Sequence, residues 1–166
     1  MKVKWVKVKD GNAYTSDITQ AVAKVSWGGS VSQAARTAEI EVISAPDDVN
    51  IKNLKLNIGA GHVVKLYEGG GLIFYGEVQS ARKIGEAGTV AYTCYDLLNH
   101  LLKSTCAYNF SNTTAERIAK KVCADLGIKA GGIVETKAEI KKMIIDGDTP
   151  YDAIMKAYTK ASKKTG

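Results

Sequence analysis

The chain has 166 residues, 45% hydrophobic and 24% charged, which suits one globular domain or two small ones sharing a core and excludes a disordered polymer. No apolar run approaches the roughly 18 residues needed to cross a bilayer, and the basic start Met1-Lys2-Val3-Lys4 leads into alternation where a signal peptide would have an apolar core. The net charge of +6 rests on lysine, with arginine only at 36, 82 and 117, which argues for a solvated face and against specific nucleic-acid readout.

Strands are expected up to about Tyr95. Residues 2–9 alternate but slip phase between Trp5 and Val6, which predicts a bulge that turns Val3, Trp5, Val6 and Val8 to one side. Ala21, Ala23, Val25 and Trp27 then share a face, Gly28-Gly29 turns the chain, and Ala38, Ile40 and Val42 alternate with Thr37, Glu39 and Glu41. Pro46-Asp47-Asp48 ends that strand. Residues 49–61 have no clean period and read as a long loop packed on a barrel. Around the Gly69-Gly70-Gly71 turn the next two strands place Leu72, Phe74, Gly76 and Val78 on one face and Ile73, Tyr75, Glu77 and Gln79 on the other. The buried set is expected to include Val25, Trp27, Ile40, Val42, Leu66, Phe74 and Val78.

After Asp96, read as an N-cap, Leu97, Leu98, Leu101 and Leu102 form a helical stripe that would cap the open end of the barrel or lead out of it. A second helix opens on a Thr113/Glu116 capping box, carries an apolar face of Ala115, Ile118, Ala119, Val122, Cys123 and Leu126, and stops at Gly127. A third is capped by Thr149, begins at Pro150 and turns Tyr151, Ile154, Met155 and Tyr158 inward, with Lys160, Lys163 and Lys164 complementing its dipole. Between them, Thr136 and Glu139 could start a short helical turn, while Met143-Ile144-Ile145 before Asp146-Gly147 reads equally well as a strand.

No catalytic constellation stands out. Gly59-Ala60-Gly61 is followed by strand-like sequence, so turn geometry explains it better than a phosphate loop. His62 and His100 lack partner motifs, and Asp47-Asp48, Asp146, Asp148 and Asp152 sit where turns and caps favour carboxylates. Cys94, Cys106 and Cys123 are an odd number at wide spacing, which implies buried free thiols and a reducing compartment. No catalytic, cofactor or metal residues are assigned. The remaining candidates are interfacial: Tyr67, Tyr75 and Tyr92, taken as outward-facing, together with Ile73.

The order Ser32-Gln33-Ala34-Ala35-Arg36-Thr37, Leu72-Ile73-Phe74-Tyr75-Gly76-Glu77-Val78, Cys94-Tyr95-Asp96-Leu97-Leu98 and Tyr108-Asn109-Phe110 before Thr113-Thr114-Ala115-Glu116-Arg117-Ile118-Ala119 resembles the baseplate hub proteins of contractile phage tails and phage-tail-like particles. The group most similar is that of defective Bacillus prophages and clostridial R-type bacteriocins. The resemblance spans nearly the whole chain. It implies an α+β protein: a tail-tube-like antiparallel β-barrel over 1–103 with its closing helix, then a small α/β module over 104–166.

In that family the hub is a trimer that joins tail tube to central spike, and each subunit supplies two barrels. This chain, matching the N-terminal part with one barrel, is expected to be a monomer or weak oligomer alone. The resemblance further implies tube, spike and baseplate wedge proteins as partners, a place in the particle's baseplate, assembly in the bacterial cytoplasm and no enzymatic activity. The rivals are a cell-wall-degrading tail enzyme, which needs a Glu/Asp or Cys/His pair in a cleft, and a basic nucleic-acid-binding barrel, for which Tyr67 beside Lys65 is the one hint.

Overall fold

The computed structural model describes residues 1–30, 32–43, 56–84 and 88–165. The chain divides into two compact units, Met1–Leu97 and Leu98–Gly166.

The first unit is a seven-stranded antiparallel sheet in the order β2-β1-β5-β6-β7-β4-β3. Its strands are β1 (Lys2–Lys9), β2 (Asn12–Asp17), β3 (Val22–Gly28), β4 (Thr37–Ile43), β5 (Val63–Glu68), β6 (Gly71–Ile84) and β7 (Thr89–Asp96). Two tight hairpins set its register. Asp10-Gly11 and Gly69-Gly70 each put two consecutive residues at positive φ, the twist that a two-residue turn needs to match its flanking strands. They pair Lys9 with Asn12 and Glu68 with Gly71. Among the described residues β2 and β3 are not paired with each other, so the sheet is open.

One face carries the core: Val3, Trp5, Ile18, Ile40, Val42, Val64, Leu66, Phe74, Val78, Tyr92 and Cys94, with Ile58 packed on it. Phe74, Ile40, Leu66, Val42 and Val78 are buried as the alternation predicts. Three expectations for this unit fail. β1 runs through Trp5 and Val6 without a bulge, in step with both neighbours, and Val8 is exposed. The irregularities lie instead at Leu66/Tyr67, Val78/Ser80 and Val22/Lys24. The last resets the start of β3: Ala23 turns outward and Val22 and Val25 pack partly on the core, while Trp27, still opposite core residue Ala38, is 42% exposed because β3 is an edge strand. The Pro46-Asp47-Asp48 turn and residues 49–55 of the expected loop lie outside the described residues; in the remainder, Leu56 and Ile58 pack inward.

The leucine run after Asp96 is not one helix. A 3-10 turn over Leu97–Asn99 precedes one short helical turn, α1 (His100–Lys103), which buries Leu101 and leaves Leu98 and Leu102 exposed. Asp96 is a strand residue, and α1 begins after Asn99.

The second unit pairs β8 (Cys106–Thr114) with β9 (Glu139–Asp148) and adds α2 (Ala115–Asp125) and α3 (Pro150–Thr165). The strand reading of Met143-Ile144-Ile145 is the one observed, and Glu139 opens β9. α2 follows β8 with no linker. Its N-cap is Thr114, the last residue of β8 and one later than the sequence suggests, and it makes no side-chain capping bond; Thr113 lies one step back in the ladder, opposite Ile140. Its apolar face is buried as expected, except for a half-buried Leu126, and it ends on Gly127 at positive φ. There the N–H of Ile128 reaches the carbonyl of Cys123 and that of Gly127 the carbonyl of Ala124, the paired bonds of a Schellman stop.

α3 starts as the sequence implies. Thr149 Oγ accepts from the Asp152 N–H at 3.1 Å and donates to its carboxylate at 2.6 Å. The inward face is different: Ala153, Ala157 and Ala161 are fully buried, Tyr151, Ile154 and Tyr158 are half-buried, and Met155 is exposed. Small side chains at i, i+4 and i+8 bring the helix close to its neighbours, so the bulkier residues are pushed to the flanks.

Candidate assembly surfaces

On the face of the sheet opposite the core, neighbouring strands alternate lysines with tyrosines. The register places Lys2 opposite Tyr67, Lys4 opposite Lys65, and Lys65 opposite Tyr75. The Lys4 ammonium lies 5.3 Å from the centre of the Tyr67 ring, and Lys65 lies 5.3 Å from that of Tyr75, within range of a cation–π attraction. Both tyrosines are half-buried and still reachable.

Of the four interface candidates, the structure brings Tyr67 and Tyr75 together on this face. Ile73 is half-buried and packs against the core cluster. Tyr92 is placed otherwise than expected: it is 7% exposed and belongs to the core, and burial raises the pKa of its phenol. Its position follows from β7 parity, since Tyr92 shares a face with Cys94, whose thiol is fully buried and pushed up to about 12 by desolvation.

The two sheet edges are features that the sequence reading missed. β2 is exposed at every position, and its Tyr14 is 58% exposed. The Asp-Gly pair between two alternating segments was the available signal. β3 forms the opposite edge and carries Trp27. Unpaired N–H and C=O groups along such edges are templates for another strand.

Gly59, His62, Asp148 and Asp152 are held by structural contacts. The Gly59 N–H donates to Nδ1 of His62 at 3.0 Å, and the His62 N–H returns to the Gly59 carbonyl, closing the expected turn. Asp148 is held by Lys156 at 2.6 Å, and Asp152 by the Thr149 cap. Glu116 is buried at the start of α2. Desolvation raises its pKa, but hydrogen bonds from its own backbone and from the Thr136 N–H and hydroxyl override that and hold it at about 2. The three cysteines are free thiols. Among the described residues no group of three or more His, Cys, Asp or Glu side chains could hold a metal ion, and no helix is long and apolar enough to cross a membrane.

This architecture is similar to that of two solved tail proteins. It superimposes on the 43 kDa tail protein of prophage MuSo2 from Shewanella oneidensis with a TM-score of 0.67 and 18% identity, over 97% of this chain and 50% of that one. On the tail protein of Neisseria meningitidis MC58 the TM-score is 0.60 at 16% identity, over 95% and 44% of the two chains. The profile of the YQBQ-like family matches residues 25–166, and the chain belongs to that family. Among curated relatives, the phage-like element PBSX protein XkdQ of Bacillus subtilis (strain 168) is 30% identical over 143 residues, 86% of this chain and 42% of that protein. YqbQ of the same organism is 36% identical over 78 residues, 46% of this chain and 24% of that protein. The chain thus spans less than half the length of the curated relatives it matches.

Proposed function

We propose that this chain is a structural component of a tail baseplate hub, joining the tail tube to the central spike of a contractile phage or phage-tail-like particle. The observation that carries the reading is the open antiparallel sheet with both terminal strands unpaired among the described residues. A subunit of this kind extends its sheet into its neighbours, and the curvature of a barrel or ring is completed between chains. The Lys4/Tyr67 and Lys65/Tyr75 ladder offers a rigid, amphipathic face to tube, spike or wedge proteins. Longer relatives would close the ring as trimers. The role is non-enzymatic and needs no cofactor; the particle is assembled in the bacterial cytoplasm.

Gold-labelled antibody against the chain, applied to purified particles, tests the location. Label confined to the baseplate end is expected; label along the shaft, or none, refutes the hub reading. The purified chain is also expected to leave peptidoglycan intact with or without divalent metal, and hydrolysis abolished by a single carboxylate-to-alanine change would replace this reading with the tail-enzyme one.

A further inference from the structure

The positive charge of the chain is unevenly distributed. The second unit holds twelve Lys and Arg against seven Asp and Glu, a net +5, whereas the first holds eleven against ten, a net +1. Part of that excess lines α3. Asp152, Met155, Lys156, Thr159, Lys160 and Lys163 border a groove of about 510 Å³ along its outer face.

The groove is bordered by both apolar and charged side chains. Met155 is 46% exposed and gives an unbranched, polarizable contact that adapts to several apolar shapes. Lys156 is taken up by Asp148, but Lys160 donates at 2.6 Å to the main-chain carbonyl of Lys142, and Lys164 at 2.6 Å to that of Glu139. A carbonyl is neutral, so it fixes each ammonium in place without cancelling its charge and leaves further donors on each. A lysine already held loses little side-chain entropy when it meets a partner.

We propose that the outer face of α3 is a docking groove for an acidic, amphipathic protein segment, one that sets an apolar side chain on Met155 and carboxylates on Lys160 and Lys163. The charge excess selects the sign of the partner, and the exposed Met155 selects a protein over a polyanion. A nucleic acid is disfavoured because the groove offers no aromatic ring for a base to stack on and no arginine fork for a phosphate. The inference goes beyond the hub reading and does not depend on where the chain sits in a particle.

The probe is a synthetic Glu/Leu peptide in amphipathic helical order, labelled for fluorescence anisotropy with the full chain. Comparison ligands are a scrambled peptide of the same composition and a single-stranded oligonucleotide. Binding of the ordered peptide is expected to weaken about tenfold or more in the Lys160→Glu/Lys163→Glu chain and in Met155→Ser. It should change only about twofold in Lys120→Glu/Lys129→Glu, which alters net charge equally but outside the groove. Equal loss in both charge pairs, no loss in Met155→Ser, equal binding of the scrambled peptide, or tighter binding of the oligonucleotide would each overturn the proposal. Near-UV circular dichroism checks that each variant is folded; should the Lys160/Lys163 pair unfold the unit, Met155→Ser decides alone.

Discussion

The indole N–H of Trp5 donates to Nδ1 of His62 at 3.2 Å, with the two rings tilted by 44° and their centroids 5.5 Å apart. The Gly59 amide donates to the same nitrogen. Nδ1 must therefore be an acceptor, which makes the imidazole neutral and places its proton on Nε2. The sequence offered His62 as a lone histidine, and its structural role is to tie β1 to the turn that starts β5.

This arrangement sets a pH dependence. Burial, with a smaller push from Lys7, lowers the His62 pKa from its ordinary 6.5, so the unfolded chain takes up the proton first. The stability that neutral His62 contributes is complete above 6.5 and is lost as the pH falls through that value toward the lower folded one. Thermal melting across this window should show the decline, and His62→Gln should flatten it; an unchanged slope in the variant would remove His62 from the account.

Gly76 lies on β6, under the ring of Phe74 and against the backbone of β7. A Cβ there would lie 2.4 Å from the Tyr95 carbonyl oxygen and 2.6 Å from the Phe74 ring. Gly76→Ala is expected to cost about 1–3 kcal/mol in urea unfolding. Gly28→Ala, with nothing within 4 Å, should stay within about 0.5 kcal/mol; equal costs would contradict the packing described.

Thr149→Ala removes both bonds of the α3 cap and should cost about 1 kcal/mol. Thr113→Ala removes no cap, since Thr113 lies in the β8 ladder. Chemical denaturation of the two variants side by side distinguishes a capping threonine from a strand threonine.

Light scattering at micromolar concentration should find a monomer or a concentration-dependent oligomer. The exposed residues of β2 are mostly polar, and the net charge of +6 makes copies repel at low salt. A trimer that survives dilution would show that one open sheet is enough to close a ring.

The fold was readable where two levels of the sequence agreed. Ile40, Val42, Phe74 and Val78 alternate on central strands, and Thr149-Pro150 with Asp152 marks a helix start by side-chain chemistry alone. It was hidden where a ladder decided. The Val22/Lys24 bulge puts Val22 in place of Ala23 on the core side, a shift that only the partner strand imposes, while Trp27 stays opposite Ala38 and is exposed because β3 is an edge strand. β8 conceals itself by running straight into α2, and α3 buries alanines that carry almost no hydrophobic signal. For the candidate surface, the Lys65/Tyr75 pair was half-visible, but Tyr92 needed the register of β7 against β4 and β6 to be placed correctly.

The β1–β2 hairpin has one consequence for engineering. Each residue of β2 is exposed, so main-chain bonds to β1 and the salt bridge of Asp17 to Lys2 at 3.0 Å secure it, with no buried side chain of its own. Main-chain bonding is indifferent to side-chain identity. The arm can therefore diverge rapidly in composition while keeping its place, and its Asp10-Gly11 tip is where a reporter peptide can be spliced in with the core left intact.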